Sequence, residues 1–511
     1  MAYCALNFIQ PRDDLMPNFQ SSCLLLILTC AALAGCGSDA KETAECPAPN
    51  GGNEVLAVDV RLNPHGNAPL SAVASLDMRA PAGIEWQLEG KDGRPSDVHQ
   101  TVSACLTHHE FEILGLYADH ANGITIRAIN AGRPPISINV QVRTGPLPAN
   151  FPAFRIDKQY PDSRPAFFLF DSRNSNMPVI VDRYGNIRWY LTVGGAKYGL
   201  QVLRNGNIGT GIAESSSVVE YTMFGELVHE WSVLPLFHNI HHDVYEKENG
   251  NFLVTADKVG LDTIEDFIVE LDRQTGAIVK TWDLRQILPK RGTLVQDSRD
   301  WFHINAVIED SRDNSIIVSG QRQGVVKITA DNHLRWILAP PDGWTGYEQY
   351  LLTEIPSQDF EWNWGQHAPL LMPNGDLMLF DNGFAREYGA AAKYSRVVRY
   401  RITEDPTAGG TVQQIWAYGK NRGESLYSPI VSDIDFLPAS NTYLMTSGAM
   451  FYNLNYVSPT SFTFSQDPLP DMAHILEIDE SGQVLFEMAV LSNDQSVLLY
   501  RSEKVDLFPH D

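Results

Sequence analysis

The chain has 511 residues, 44% of them hydrophobic and 20% charged, which is enough apolar surface for two or three cores and excludes a disordered chain. Its formal net charge is −24. With no Lys/Arg-rich run to neutralise phosphates, nucleic acid is excluded as a partner, and an anionic substrate needs a local cationic pocket.

The first segment is an apolar run from Cys23 to Ala34, too short to span a bilayer as a mature helix and followed by small residues. Residues 1–36 therefore read as an export leader. Leu33-Ala34-Gly35-Cys36 has the form of a bacterial lipobox, so Cys36 is expected to carry lipid as the first mature residue. That predicts a periplasmic, lipid-anchored protein, at the outer membrane because Gly37 replaces the aspartate of inner-membrane retention. The positive region ahead of it is weak, with Arg12 followed by Asp13 and Asp14 and no Lys or Arg from Met16 to Cys36.

Of the six cysteines, Cys4, Cys23 and Cys30 leave with the leader and Cys36 is acylated. Cys46 and Cys105 are left, and in an oxidising compartment they are expected to form one disulfide. No cysteine follows Cys105, which excludes a thiol nucleophile or a cysteine zinc site from the large C-terminal region. Residues 37–53 are small and polar and suit a tether.

From residue 54 to 148 the sequence alternates apolar and polar residues between turn signals, which predicts a small antiparallel β-domain of sandwich type. Gly145-Pro146-Leu147-Pro148 punctuates its end. Residues 149–511 repeat. Hairpins closing on an aromatic recur at Asp182 to Trp189, Thr222 to Trp231, Asp272 to Trp282, Ala330 to Trp336 and Asp479 to Phe486. Tight turns precede most of them, at Asn205-Gly206, Asn249-Gly250, Asn374-Gly375 and, in degenerate form, Pro438 to Asn441. Counting both signatures predicts about six blades of a β-propeller, inside the usual range of about four to eight. A β-solenoid is the alternative, with shorter and more regular repeats.

Aligning the blades on these turns brings distant residues to one position. Seven residues before Asn249, Asp310 and Asn374 stand His242, His303 and His367; the equivalents elsewhere are Tyr198 and Ser432. Because the first strand of each blade lines the central channel, these positions form a ring at its mouth. One histidine alone is more often a satisfied core or surface group, but three at one repeat phase outweigh coincidence. Such a ring can bind a metal, or can supply a nucleophile with acid–base partners, since imidazole is basic and nucleophilic near neutral pH. In a strand His241 and His242 point to opposite faces, so at most one of them is expected to join the site, which weakens the metal alternative.

The motifs Asn239-Ile240-His241-His242-Asp243-Val244, Asp300-Trp301-Phe302-His303-Ile304-Asn305, Trp364-Gly365-Gln366-His367-Ala368-Pro369 and Phe380-Asp381-Asn382-Gly383 resemble those of the bacterial arylsulfate sulfotransferases. Asn63-Pro64-His65-Gly66 and Ile113-Leu114-Gly115-Leu116-Tyr117 are similar to that family's N-terminal domain, so the resemblance covers nearly the whole mature chain. It implies an all-β chain, a six-bladed β-propeller behind a β-sandwich-like domain. The implied activity is transfer of a sulfuryl group from a phenolic sulfate ester to an acceptor phenol, with no cofactor and no metal. The resemblance further implies His367 as the nucleophile, carrying the group as a sulfohistidine in ping-pong turnover, with His303 and His242 at the sulfuryl oxygens or the proton. Asn305 is similar to a substrate contact, Ser432 is grouped with it by position, and relatives imply a homodimer.

The expected arginine falls where Gln321 stands, so Arg322 is assigned to the sulfuryl oxygens, the alternatives being Arg386 or a site without this arginine. Tyr198, Trp362, Trp364, Phe451 and Tyr452 are candidates to stack on a phenol, though most aromatics serve blade packing. Two other classes stay open: a non-catalytic propeller lipoprotein acting as a scaffold, which leaves the histidine ring unexplained, and a metallohydrolase or sulfatase using those histidines on zinc.

Overall fold

In the computed structural model the described residues are Cys46 and 54–172, 177–195, 197–290, 297–458, 461–466, 471–491 and 498–508. The leader expected over 1–36, its Cys36 and all of the 37–53 tether except Cys46 lie outside them. Glu45–Asp511 forms one unit, and its described secondary structure is β-sheet, antiparallel except for one strand pair, with a few short 3-10 turns.

Strands Val55–Leu62, Ala72–Leu88, His99–Ile113, Ala121–Ile129 and Ile136–Arg143 make one connected sheet. The long Ala72–Leu88 strand holds it together: its first half pairs with Val55–Leu62, its second half with Ala121–Ile129, and His99–Ile113 follows it across a bulge. Inward residues alternate along it, with Ala74, Leu76, Ile84, Trp86 and Leu88 all buried. Cys46 and Cys105 form a disulfide that ties the entry segment to this sheet across 59 residues of sequence. Closing a loop of that length restrains the unfolded chain, so replacing both cysteines by serine is expected to cost about 2–4 kcal/mol. A fall in Tm that equals the fall caused by reductant on the unaltered protein checks this.

Apart from two short two-stranded pairs, Phe237–His238 with Asp257–Lys258 and Tyr452–Ser458 with Ser461–Gln466, the remaining described strands form six sheets of four or five strands around successive stretches of chain. Phe167–Ser172, Met177–Asp182 and Ile187–Tyr190 are joined by the C-terminal strand Leu499–Val505, which takes the inner edge of this first sheet. Lys197–Val202 opens the second sheet, Val244–Glu246 the third and Ile304–Asp310 the fourth. The fifth opens on His367–Leu371 and gains a parallel strand, Leu352–Glu354; the sixth opens on Asp433–Leu437 and gains Ala153–Lys158 at its outer edge. These inner strands touch one another in that order, and Leu499–Val505 touches both Asp433–Leu437 and Lys197–Val202.

The order of sheets follows from where the apolar residues are. Middle strands such as Phe252–Thr255 and Leu377–Asp381 are buried along their whole length, because each sheet is covered on both faces. Outer strands alternate, as in Ile278–Asp283. Tryptophans on several outer strands bind one sheet to its neighbour: Trp231 Nε1 donates to Arg273 O at 2.8 Å, Trp282 Nε1 to Thr329 O at 3.0 Å and Trp416 Nε1 to Glu480 O at 2.9 Å. The Asn-Gly turns have glycine at positive φ, 79° at Gly206 and 85° at Gly250 and Gly375, the backbone state only glycine adopts without steric cost.

Candidate active site

The chain bends sharply at or just before the start of the inner strands. His242, His303 and Ser432 have φ of 55°, 58° and 86°, whereas beside Tyr198 and His367 the positive φ falls one residue later, on Gly199 at 62° and Ala368 at 50°. Left-handed backbone at non-glycine residues is costly and is held in place by its surroundings. It also overturns one expectation. His241 and His242 precede the strand Val244–Glu246, and the turn at His242 brings their Nδ1 atoms to 3.0 Å instead of sending them to opposite faces. The opposite-face rule fails because these two residues are not extended.

The three ring histidines converge. His242 and His303 lie 4.9 Å apart between ring centres, and Tyr500 lies 6.0 Å from both His242 and His367. Tyr198 stands 6.0 Å from His242. Residues from the first, second, third, fourth and fifth sheets thus meet in one place.

His367 is buried, and its Nδ1 lies 2.7 Å from Asn382 Oδ1 and 3.2 Å from Gly365 O. The Asn382 amide nitrogen donates to Ser428 O and Val431 O, both at 2.8 Å, so its oxygen must face His367 and can only accept. Nδ1 therefore carries the proton and Nε2 carries the lone pair. Burial drives the His367 pKa down to about 3, opposed by the Asn382 bond and reinforced by His303, so the ring is neutral. Asn382→Leu removes the acceptor that sets this tautomer. It is expected to lower kcat by about 10–100-fold with little change in donor KM, measured by steady-state kinetics beside a thermal melt.

His303 is held in the opposite state. Its Nδ1 donates to Asp300 Oδ1 at 2.9 Å, and Glu265 Oε2 lies 2.6 Å from the same nitrogen. Burial opposes the charge, but Glu265 and Asp300 outweigh it and lift the pKa to about 9. Glu265 is held well below the usual carboxylate range against its own burial by His242 and His303. His242 is pushed well below 6.5 by burial despite Glu265. At neutral pH the site holds one imidazolium between carboxylates and one neutral imidazole with a defined lone pair. Two similar groups whose environments drive their pKa values apart are the mark of an acid–base assignment.

Asn305 is fully buried and donates to the Gln366 carbonyl at 2.7 Å, next to His367, while Tyr500 OH donates to the Asn305 carbonyl at 2.8 Å. Ser432 braces a loop: its hydroxyl donates to Ser428 Oγ at 2.9 Å and accepts from Gly448 N at 3.0 Å. Arg322 Nη2 bonds Asp300 Oδ2 at 3.2 Å, which puts its guanidinium beside the His303 cluster. A pocket opens there, lined by Arg322, Trp364, Gln366, Phe384 and Tyr388. Gln321, where the arginine was expected, is buried, and its backbone N–H donates to the His303 carbonyl at 3.0 Å. Arg386 is ion-paired to Asp381 at 2.9 Å and lies 4.2 Å over the Tyr394 ring, away from this pocket. Trp362 packs on Phe360 and Phe451 on Tyr452.

Glu265, Asn382 and Tyr500 were not singled out from the sequence. Asn382 sits in a quoted motif directly after the strand that pairs with His367, a usable signal. Glu265 and Tyr500 carry none, being delivered by a loop and by the closing strand. Two groupings, His241/His242/Glu265 and Glu265/Asp300/His303, have donor atoms within 4.8 Å of one another.

The profile described as Arylsulfotransferase (ASST) matches residues 154–501, and the Arylsulfotransferase Ig-like domain matches residues 59–145. The chain is 27% identical to the arylsulfate sulfotransferase AssT of Escherichia coli O6:H1, over 89% of this chain and 93% of that one. It is 26% identical to the AssT of Lelliottia amnigena, over 86% and 91%. A solved protein of unknown function from Bacteroides caccae overlays with a TM-score of 0.41 at 12% identity, covering 67% of this chain and 99% of that one. The profile takes in every histidine of the ring together with Glu265, Asn382 and Tyr500, and this chain belongs to the arylsulfotransferase family.

Proposed function

We propose that this sulfotransferase moves a sulfuryl group from a phenolic sulfate ester to an acceptor phenol in two steps through His367. The observation that carries it is the contrast between two ring histidines, His367 with Asn382 on its Nδ1 and His303 with Asp300 and Glu265 on its own. The Nε2 lone pair of His367 attacks sulfur, and the S–O bond to the donor phenol breaks as that oxygen takes the proton of His303. His303, now neutral, accepts the proton of the incoming phenol, whose oxygen attacks sulfur and frees His367. Arg322 and His242 face the sulfuryl oxygens in this scheme, with Asn305 holding the backbone beside the nucleophile and Ser432 bracing the loop that orients Asn382. The aromatic wall of the Arg322 pocket suits a phenol ring.

The closed succession of inner strands supports six blades, with 54–148 as the N-terminal domain and 149–511 as the propeller. Removal of 1–36, lipidation at Cys36, a tether over 37–53, outer-membrane attachment facing the periplasm and a homodimer complete the proposal.

The test is nitrophenolate release from 4-nitrophenyl sulfate by leaderless protein, with and without phenol. Release that needs phenol and appears with phenyl sulfate supports transfer. The histidine–carboxylate groupings favour a second reading, a metal-dependent sulfatase; release without acceptor that a chelator abolishes would establish it instead.

A further inference from the structure

The loops that join the second strand to the third in the fourth, fifth and sixth sheets meet at Arg322. In the fourth sheet this loop is only Gln321-Arg322-Gln323. In the fifth it runs from Asn382 to Ser395 and carries Phe384. In the sixth it spans 448–470 and holds a hairpin of its own, Tyr452–Ser458 paired with Ser461–Gln466. This hairpin reaches past the fifth sheet to the arginine of the fourth.

Its apolar face explains how it stays there. Leu454 stands opposite Phe464, and Phe462 lies two residues along the same strand, so the three share one side of the ribbon. Leu454 and Phe462 are buried in one cluster with Phe384 and Ala385 of the fifth sheet, and the Phe462 and Phe384 rings meet edge to face at 5.1 Å. The turn bearing Phe384 is left-handed at Ala385, Glu387 and Tyr388, with φ of 63°, 48° and 55°. Such a turn is costly and is held by its surroundings, here by Arg386 on Asp381 at 2.9 Å.

The Arg322 guanidinium carbon lies 5.3 Å from the centre of the Phe462 ring and 5.7 Å from that of Phe384. The two rings stand at 84° to each other and make a corner for it. A ring face attracts a cation yet offers no lone pair, so this corner fixes the guanidinium without drawing on its N–H donors. More carboxylates in the same place would hold it as firmly and take those donors up. In a chain of net charge −24, a cation meant for an anionic group needs a support of the first kind.

We propose that the hairpin of the sixth sheet is a positioning arm of the transfer site, in which Phe462, together with Phe384, fixes the guanidinium of Arg322. The inference rests on the reading of Arg322 as the cation at the sulfuryl oxygens. Phe462 acts through Arg322 and is a positioning residue.

The test is a double-mutant cycle on the full leaderless chain, read as kcat of phenol-dependent nitrophenolate release. Arg322→Ala is expected to lose about 100-fold or more. Phe462→Leu, which keeps the bulk and removes the ring face, is expected to lose about 10-fold in the parent. In the Arg322→Ala background it should cost less than about twofold, because the group it positions is gone. Phe462→Tyr restores the ring face and should return the rate to within about twofold of the parent. Losses that multiply in the double variant overturn the arm and leave Arg322 in its role, whereas a full rate in Arg322→Ala overturns that role and the arm with it. The contact is read without turnover from a nitrogen-15 arginine label. The Nε–H resonance that Arg322→Ala deletes is expected to move in Phe462→Leu as the ring current is withdrawn, and a resonance left in place also overturns the proposal. Phe462→Met, flexible and without a ring, carries the same expectations if Phe462→Leu does not fold.

Discussion

His367→Ala is expected to lose at least about 10⁴-fold in phenol-dependent nitrophenolate release, because it removes the lone pair on which the two-step transfer rests. The loss should fall on kcat and on the first half-reaction alike. A stoichiometric burst of nitrophenolate from the parent, without acceptor, and none from the variant is the measurement that separates a nucleophile from a group that only contacts the sulfuryl oxygens. The neighbours argue for this position and not for His242 or His303. Asn382 fixes Nδ1–H on His367 from behind, whereas the Nδ1 of His303 is engaged by Asp300 and Glu265 and that of His242 lies against His241. Equal bursts from parent and variant would move the nucleophile elsewhere.

Glu265→Gln is expected to lower the rate at pH 8 by about 10–100-fold, through His303. The sign follows from the protonation states. With Glu265 ionised, the His303 pKa is about 9, so the imidazolium that the proposed transfer needs as its acid persists through neutral pH. A neutral amide at 265 leaves burial nearly unopposed except by Asp300, the pKa falls, and the alkaline limb of kcat moves to lower pH. The same residue couples to stability. A raised folded-state pKa contributes stability that is full below about 6.5 and is lost as pH rises through about 9. The variant should therefore lose more Tm at pH 6 than at pH 9.5. A pH profile unchanged in position, with only its height reduced, would mean that Glu265 holds the loop and does not set the proton.

Much of the molecule was legible in the sequence because its information is local and repeated. Alternation and Asn-Gly turns specify strands and hairpins within about ten residues, and the turns carry a fixed offset to the inner-strand start, so His242, His303 and His367 fall into register without a structure. The cysteine count left Cys46 and Cys105 to pair, as they do. The same offset explains the errors. It treats each inner strand as extended from its first residue, whereas the backbone turns left-handed at His242 and at Ala368, so the facing of His241 and His242 was misjudged.

What the tertiary structure alone decided is which state each histidine is in. Protonation depends on groups within a few ångströms, and those arrive from elsewhere in the chain: Glu265 from a loop of the third sheet, Asn382 from just past the end of the strand beside His367, and Tyr500 from a C-terminal strand that closes onto the first sheet. Only the folded chain separates the surroundings of Arg322 and Arg386, since one lies on Asp300 beside the pocket and the other is bound to Asp381. Sequence by itself determined the residues that can do the chemistry, through patterns short enough to read along the chain. Their roles follow from electric fields and hydrogen bonds between sheets, which depend on distance in space and have no trace in sequence spacing.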